Sequence, residues 1–447
     1  MKEFEEQVIK IFNYTHEYAI NNLPFNHNIH PSEWSKSQQD LFAQFVHLGF
    51  RKAQDLILSE MLVIEKNIKT LKLDLKVSRK NRDKDKIKKI ENNIKIFNHK
   101  ELILRHFADF IAWEFLGQQY YKVRRFHNMK DKYNTRPTLS ESNLDSIISA
   151  VDYYHKQNPS NFALMSDLTS FIDIGDILLI ENYEVKPIEI KEGKKNKEIF
   201  DFLFNKDIEI SPDKINDKFL KQAKRVLNQV ERGIKLNNFF KNDSGKDPFM
   251  DCNVQVNEKE YIMESYADTV NKLLLDLNHK DWAYSIVENI ITIGIYQKQN
   301  ILMGDILIQE LNKMNYGKEF PVTSYLQTLQ IPISEPIVYK GFPKDKIFDI
   351  LFGRIRIILS INLDNFIQLC NDNNLNARYL SKKETMNRKK KGDLSMYEFN
   401  KQNIIINENT ILGDGIIVRM LFDFAKPSSI IKSLKQQIEE FDIQEVT

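Results

Sequence analysis

Phe171 to Lys195 reads F-I-D-I-G-D-I-L-L-I-E-N-Y-E-V-K-P-I-E-I-K-E-G-K-K, and its charges fall where a plain hydrophobic core has no use for them. Two apolar runs, Phe171 to Ile180 and Val185 to Lys191, flank Glu181-Asn182-Tyr183-Glu184, a polar interval of hairpin-loop length with Asn as turn former. The pattern predicts two antiparallel strands. With the loop centred between Asn182 and Tyr183, Asp176 faces Glu189 and Ile174 faces Lys191. Side chains alternate along a strand, so Glu189 and Lys191 share a face, and cross-strand neighbours lie about 4.5–5.5 Å apart. One Asp, one Glu and one Lys therefore converge on one patch. Two facing carboxylates repel unless a cation lies between them, and hard oxygen ligands suit Mg2+ or Mn2+.

The order Asp173-Ile174-Gly175-Asp176, then Glu189-Ile190-Lys191 on the next strand, resembles the PD-(D/E)xK nuclease superfamily of restriction endonucleases, Holliday junction resolvases and bacterial defence nucleases. The resemblance covers about residues 140–240. It implies a restriction-endonuclease-like core, a central mixed sheet flanked by helices, in which Asp176 and Glu189 bind Mg2+ (or Mn2+) and Lys191 assists the nucleophilic water. Gly175 stands where the family often has Pro. Asp173 is a competing acid that strand alternation places on the other face from Asp176. The family sometimes draws a further acid from the preceding helix, for which Glu141 is nearest; a Glu in a first turn also simply favours the helix dipole. A Gln from the following helix often orients the site, and Gln222 and Gln229 both qualify. E-x-K recurs at Glu184–Lys186 and Glu192–Lys194, but only Glu189–Lys191 lies within the second apolar run and faces an Asp. A structural edge hairpin with its charges in solvent is the alternative use of the same residues.

Around this stretch the chain has 447 residues, more than one core usually organises, with 42% hydrophobic residues and 64 basic against 62 acidic side chains. Any basic surface must be local. Cys252 and Cys370 are too few for a disulfide framework and lack metal-site spacing. Neither a signal peptide nor a membrane-spanning run is visible, so a cytoplasmic protein is expected. His27 and His30 read as loop histidines.

Upstream, Ile57, Met61, Ile64, Ile68, Leu71 and Leu75 alternate steps of four and three, and Ile87, Ile90, Ile94 and Phe97 resume the spacing after a charged interval. A long antiparallel helical hairpin is predicted over about 53–127 within a helical region 1–130. Lys66 to Lys100 holds 13 Lys or Arg against 4 Asp or Glu. Such an arm suits a phosphate backbone, or pairing with a second copy or a partner protein. Arg124 and Arg125, between aromatics, are candidate surface contacts to nucleic acid, as are Lys194, Lys195 and Arg225 near the hairpin. Ser140 is read as the N-cap of a helix reaching His155.

The nuclease-like domain is expected over 138–300 and a separate mixed α/β domain over 320–447. Asp281 to Tyr296 reads as an apolar helix. Arg388-Lys389-Lys390 reads as part of a mobile basic loop, and Ile404 to Leu421 as a hairpin. The expected fold class is thus α+β or mixed α/β, and the expected function is a Mg2+-dependent nuclease acting on DNA, with RNA open, of the sort a bacterial restriction or anti-phage effector would use. The alternative is a non-catalytic nucleic-acid-binding or assembly protein with a degenerate nuclease fold.

Overall fold

The computed structural model describes residues 2–25, 30–128, 138–141, 143–181, 184–190, 198–199, 203, 217–250, 252–255, 263–297, 301–390, 403–407, 410–412 and 414–445. It is a mixture of helices and small antiparallel sheets in two compact units, Met1–Asn257 and Glu258–Thr447. The expected division into three falls differently because residues 282–297 form strands that pair within the second unit.

In the first unit, α1 (Lys2–His16) and α2 (Tyr18–Asn22) pack on a hairpin of α3 (Lys36–Lys80) and α4 (Lys84–Phe115). α3 starts at a capping box, in which the Ser35 side chain accepts from Gln38 N and Gln38 from Ser35 N. At the far end Asp83 accepts from Lys86 N at 3.1 Å and caps α4. With 45 residues, α3 is about 65–70 Å long. The predicted seam forms: Ile57, Met61, Ile64 and Ile90 are buried. The helix expected over 107–127 is broken. Gly117 and Gln118 take φ +67 and +56, and Gln118 N returns to Trp113 O at 2.9 Å, so α4 stops and α5 (Tyr120–Phe126) begins anew.

Next come α6 (Leu144–Gln157) and a three-stranded antiparallel sheet of β1 (Phe162–Met165), β2 (Ile177–Glu181) and β3 (Glu184–Ile188), with β2 central. α6 starts later than expected, at Asn143. Ser140 instead donates to Glu65 of α3 and sits in a short 3-10 turn, Leu139–Glu141. The sheet's outer edge at β1 is occupied by helix side chains. Gln54 of α3 donates to Ala163 O at 3.1 Å and accepts from Met165 N at 2.9 Å, while His155 Nε2 accepts from Ala163 N at 3.0 Å. Arg51 donates to Pro159 O and Asn161 O at 3.0 and 2.5 Å. On α4, Arg105 donates to Asp167 O and Thr169 O, and Asp109 accepts from both Ser170 N and Ser170 Oγ at 2.6 Å. Helices and sheet are thereby one body. α7 (Asp217–Asn242) then leads to the two-stranded pair β4 (Ser244–Lys246) and β5 (Asn253–Gln255).

The second unit is organised by a four-stranded antiparallel sheet, β6 (Trp282–Val287), β7 (Ile291–Gln297), β9 (Ile355–Ile361) and β8 (Val322–Ser324) in spatial order. The helix expected over 281–296 is thus a hairpin, turned by Glu288 and Asn289 at φ +49 and +55. The first five residues of β7 are all buried, with Ile291, Ile293 and Ile295 alternating with Thr292 and Gly294, the period of a strand. α8 (Ala267–Asp276) packs on β6, and α9 (Ile301–Tyr316) lays Ile308 and Leu311 on Ile358 while Asn312 bridges Thr292 and Ser360. α10 (Lys344–Leu351), α11 (Leu363–Asp372), β10 (Ala377–Tyr379), α12 (Lys382–Lys390), β11 (Ile404–Ile406), β12 (Thr410–Ile411), α13 (Asp414–Leu421) and α14 (Pro427–Glu445) complete it. Where a hairpin was expected over 404–421, the second half is the helix α13.

Candidate active site at the open end of a hairpin

The β2–β3 ladder pairs Ile177 with Ile188, Leu179 with Lys186 and Glu181 with Glu184, the predicted register. The paired ladder ends at Ile177 and Ile188; Asp176 and Glu189 are the next residues on the two strands beyond it, and there Asp176 bonds back to Ile188. The strand begins later than expected because the chain leaves the ladder at Gly175. That residue has φ +79, and a Cβ built on it would lie 3.1 Å from Ile188 N, Ile188 O and Pro187 Cβ. Proline, held near φ −65°, cannot take this place.

The turn delivers Asp176 to the strand end. Its N–H donates to Ile188 O at 2.8 Å, its carbonyl accepts from Ser166 N at 3.0 Å, and its Oδ2 accepts from Ile190 N at 2.6 Å. Asp176 and Glu189 are both half-buried. The carboxylate of Asp176 is therefore held by the backbone of the same Glu-Ile-Lys segment it faces. Lys191, Lys194 and Lys195 lie outside the described residues, as does the side chain of Glu141.

Asp173 has a different task. Its N–H donates to Phe126 O at 3.0 Å, and its Oδ2 accepts from Asn128 N at 2.8 Å and meets His127 Nδ1 at 3.0 Å. It ties the end of α5 to the turn that precedes Asp176. The sequence carries no sign of His127 as that tie, since the two residues are 46 apart. The competing Glu184–Lys186 is also accounted for: Lys186 Nζ lies 3.3 Å from Glu181 and 3.1 Å from Glu184, bridging two like charges that the register sets opposite each other, and both partners raise its pKa.

Several basic candidates change character. Arg125 is half-buried, paired with Asp247, itself 1% exposed, and lies over the Phe239 ring at 5.7 Å, a structural ion pair and not a free surface contact. Burial lowers its pKa, and the Asp247 carboxylate opposes that shift. Arg124 is half-buried, reaching His127 O at 3.4 Å and Met250 Sδ at 3.8 Å. On α7, Arg225 and Gln229 are exposed, whereas Gln222 is half-buried beside the Ile199, Ala223 and Val226 cluster. Arg388, Lys389 and Lys390 lie on α12 and not in a loop. There Ser381 and Glu384 form reciprocal end bonds of 3.2 and 2.7 Å, and Arg378, then Ser381, hold the Glu384 carboxyl down to about 2.

Among the described residues no group of three or more His, Cys, Asp or Glu side chains is arranged to hold a metal, and no helix is long and apolar enough to cross a membrane. Two carboxylates are nonetheless an adequate protein share for Mg2+, which commonly keeps several waters and takes further oxygens from substrate phosphate. Compared with protein-family models, curated proteins and solved structures, the chain matches none.

Proposed function

We propose that the chain is a divalent-metal-dependent nuclease hydrolysing phosphodiester bonds, with DNA as the first substrate and RNA as the second. The observation that supports this reading is the strand-end geometry: Asp176 and Glu189 are the residues next beyond the last pair of the ladder, and the Asp176 carboxylate accepts from the N–H of Ile190. A hairpin needing only solubility has no use for a left-handed glycine and a part-buried backbone bond that fixes the Asp176 carboxylate. The three-stranded sheet, with α6 before it and α7 after it, is assigned as the counterpart of the expected core; among the described residues it is wholly antiparallel where a mixed sheet was expected.

In this reading Asp176 and Glu189 would hold Mg2+ or Mn2+. When bound, the ion supplies positive charge to the phosphodiester oxygens and acidifies the attacking water. Ile190 N–H keeps Asp176 oriented, and Asp173 with His127 holds the turn in front of it. Lys191, next after Ile190, is assigned to position that water or accept its proton. A short catalytic core among large additional regions suits a restriction or anti-phage effector.

The test is cleavage of plasmid, linear DNA and RNA by the purified chain with Mg2+ or Mn2+, beside Asp176→Asn, Glu189→Ala and Lys191→Ala. Metal-dependent cutting that falls by about 100-fold or more in each variant is expected. Cutting that survives all three substitutions would remove these residues from the mechanism.

A further inference from the structure

The hairpin tip, residues 66–100, has positive charge that its surroundings do not compensate. Of its four acids, Asp83 caps α4 and Glu91 pairs with Arg79 at 2.9 Å. Lys100 lies over the Phe4 and Phe97 rings. Lys66, Lys69, Lys72, Lys76 and Lys80 are all exposed, and among the described residues none makes an ion pair. Steps of three and four keep them on one flank of α3, about 4.5–6 Å apart in rise over roughly 20 Å. A duplex strand offers a phosphate about every 3.4 Å.

The tip also points the right way within its unit. α3 meets Asn161 at Arg51, then Ala163 and Met165 at Gln54, so it runs along β1 in the direction of that strand. β1 is antiparallel to β2, with Met165 opposite Ile177. The hairpin therefore projects from the sheet end that carries Asp176 and Glu189. The tip has one aromatic residue beyond His99, Phe97, and it sits beneath Lys100. Single strands are usually gripped by stacking their bases on aromatic side chains, and that platform is missing here.

We propose that this tip is a docking rod for the phosphate backbone of duplex nucleic acid, leading it toward the Asp176–Glu189 end of the sheet. The second half of that statement rests on the nuclease reading; the first does not. Neighbouring exposed residues Val63, Leu73 and Val77 provide the competing use of the tip, self-association.

The experiment measures fluorescence anisotropy of a labelled DNA duplex of about 40 bp, the matching RNA duplex and the single strand, in EDTA, using full-length protein with Glu189→Ala so that nothing is cut. It is repeated with Lys66→Gln, Lys69→Gln, Lys72→Gln and Lys76→Gln combined, after circular dichroism establishes an unchanged fold. Duplex binding above single-strand binding is expected, with affinity lowered at least ~10-fold by the four substitutions. The slope of log affinity against log salt should fall by up to about 3.6, near 0.9 for each phosphate no longer neutralised. Unchanged affinity and slope overturn the rod, as does binding lost instead in Leu73→Glu with Val77→Glu together with a fall in sedimentation mass. Binding through these lysines in a chain that cuts nothing with Mg2+ keeps the rod and removes the nuclease; normal cutting with binding indifferent to them does the reverse.

Discussion

The base and the tip of the α3–α4 hairpin share one secondary structure and one periodic seam, yet they are different materials. At the base, Gln54, Arg51, Arg105 and Asp109 turn inward to bond the backbone of β1 and of the segments on either side of it, among Phe107, Ile111 and Ile57 at 0% exposure. At the tip, Leu73 is 63% exposed and the lysines face water. Helix periodicity announces that a hairpin exists; only the partners of its polar residues tell which part is architecture and which is surface.

The largest expected break in that contrast is Phe107→Ala at the base, which should cost about 3–5 kcal/mol by urea unfolding, against less than about 0.5 kcal/mol for Leu73→Ala at the tip. Equal costs would dissolve the distinction. Next is Gln54→Leu, which leaves Ala163 O and Met165 N without their partner and should cost about 2–4 kcal/mol, although leucine fills the space better than alanine.

A pH titration sharpens the same point. Burial lowers His47 and His155 to about 4, and His155 Nε2 accepts from Ala163 N, so the neutral ring is the one the fold uses. Between pH 6.5 and about 4 the unfolded chain binds protons that the folded chain refuses. Stability is therefore full above pH 6.5 and falls as pH drops through that window. His155→Gln should flatten part of that loss. The smallest effect expected is Lys69→Gln at the tip, a change in unfolding free energy within about 0.5 kcal/mol.

What was legible in the sequence was local. The 171–191 stretch yields its register because a short polar loop fixes which residues face each other, from Glu181–Glu184 out to Ile177–Ile188. Distance in the chain hid the rest. Arg125 among Tyr and Phe reads as surface until Asp247, 122 residues on, is found beneath it. Asp173 reads as a rival ligand until His127 and Asn128 claim it. β6 and β7 read as helix only when 281–296 is taken as one apolar segment; the alternation of Ile291, Ile293 and Ile295 and the turn at Glu288-Asn289 mark the strands. Gln54 left a signal of a kind, a lone amide in the buried row between Ala53 and Ile57.

That amide sets a clock on synthesis. Gln54 closes the edge of β1 across 109 and 111 residues of chain. At about 5–20 residues per second, the nascent helices must wait roughly 5–20 s before the strand they cap has been made. Until then the apolar base of the hairpin has no sheet to cover it, and the newborn chain is at its most adhesive well before its candidate catalytic hairpin exists.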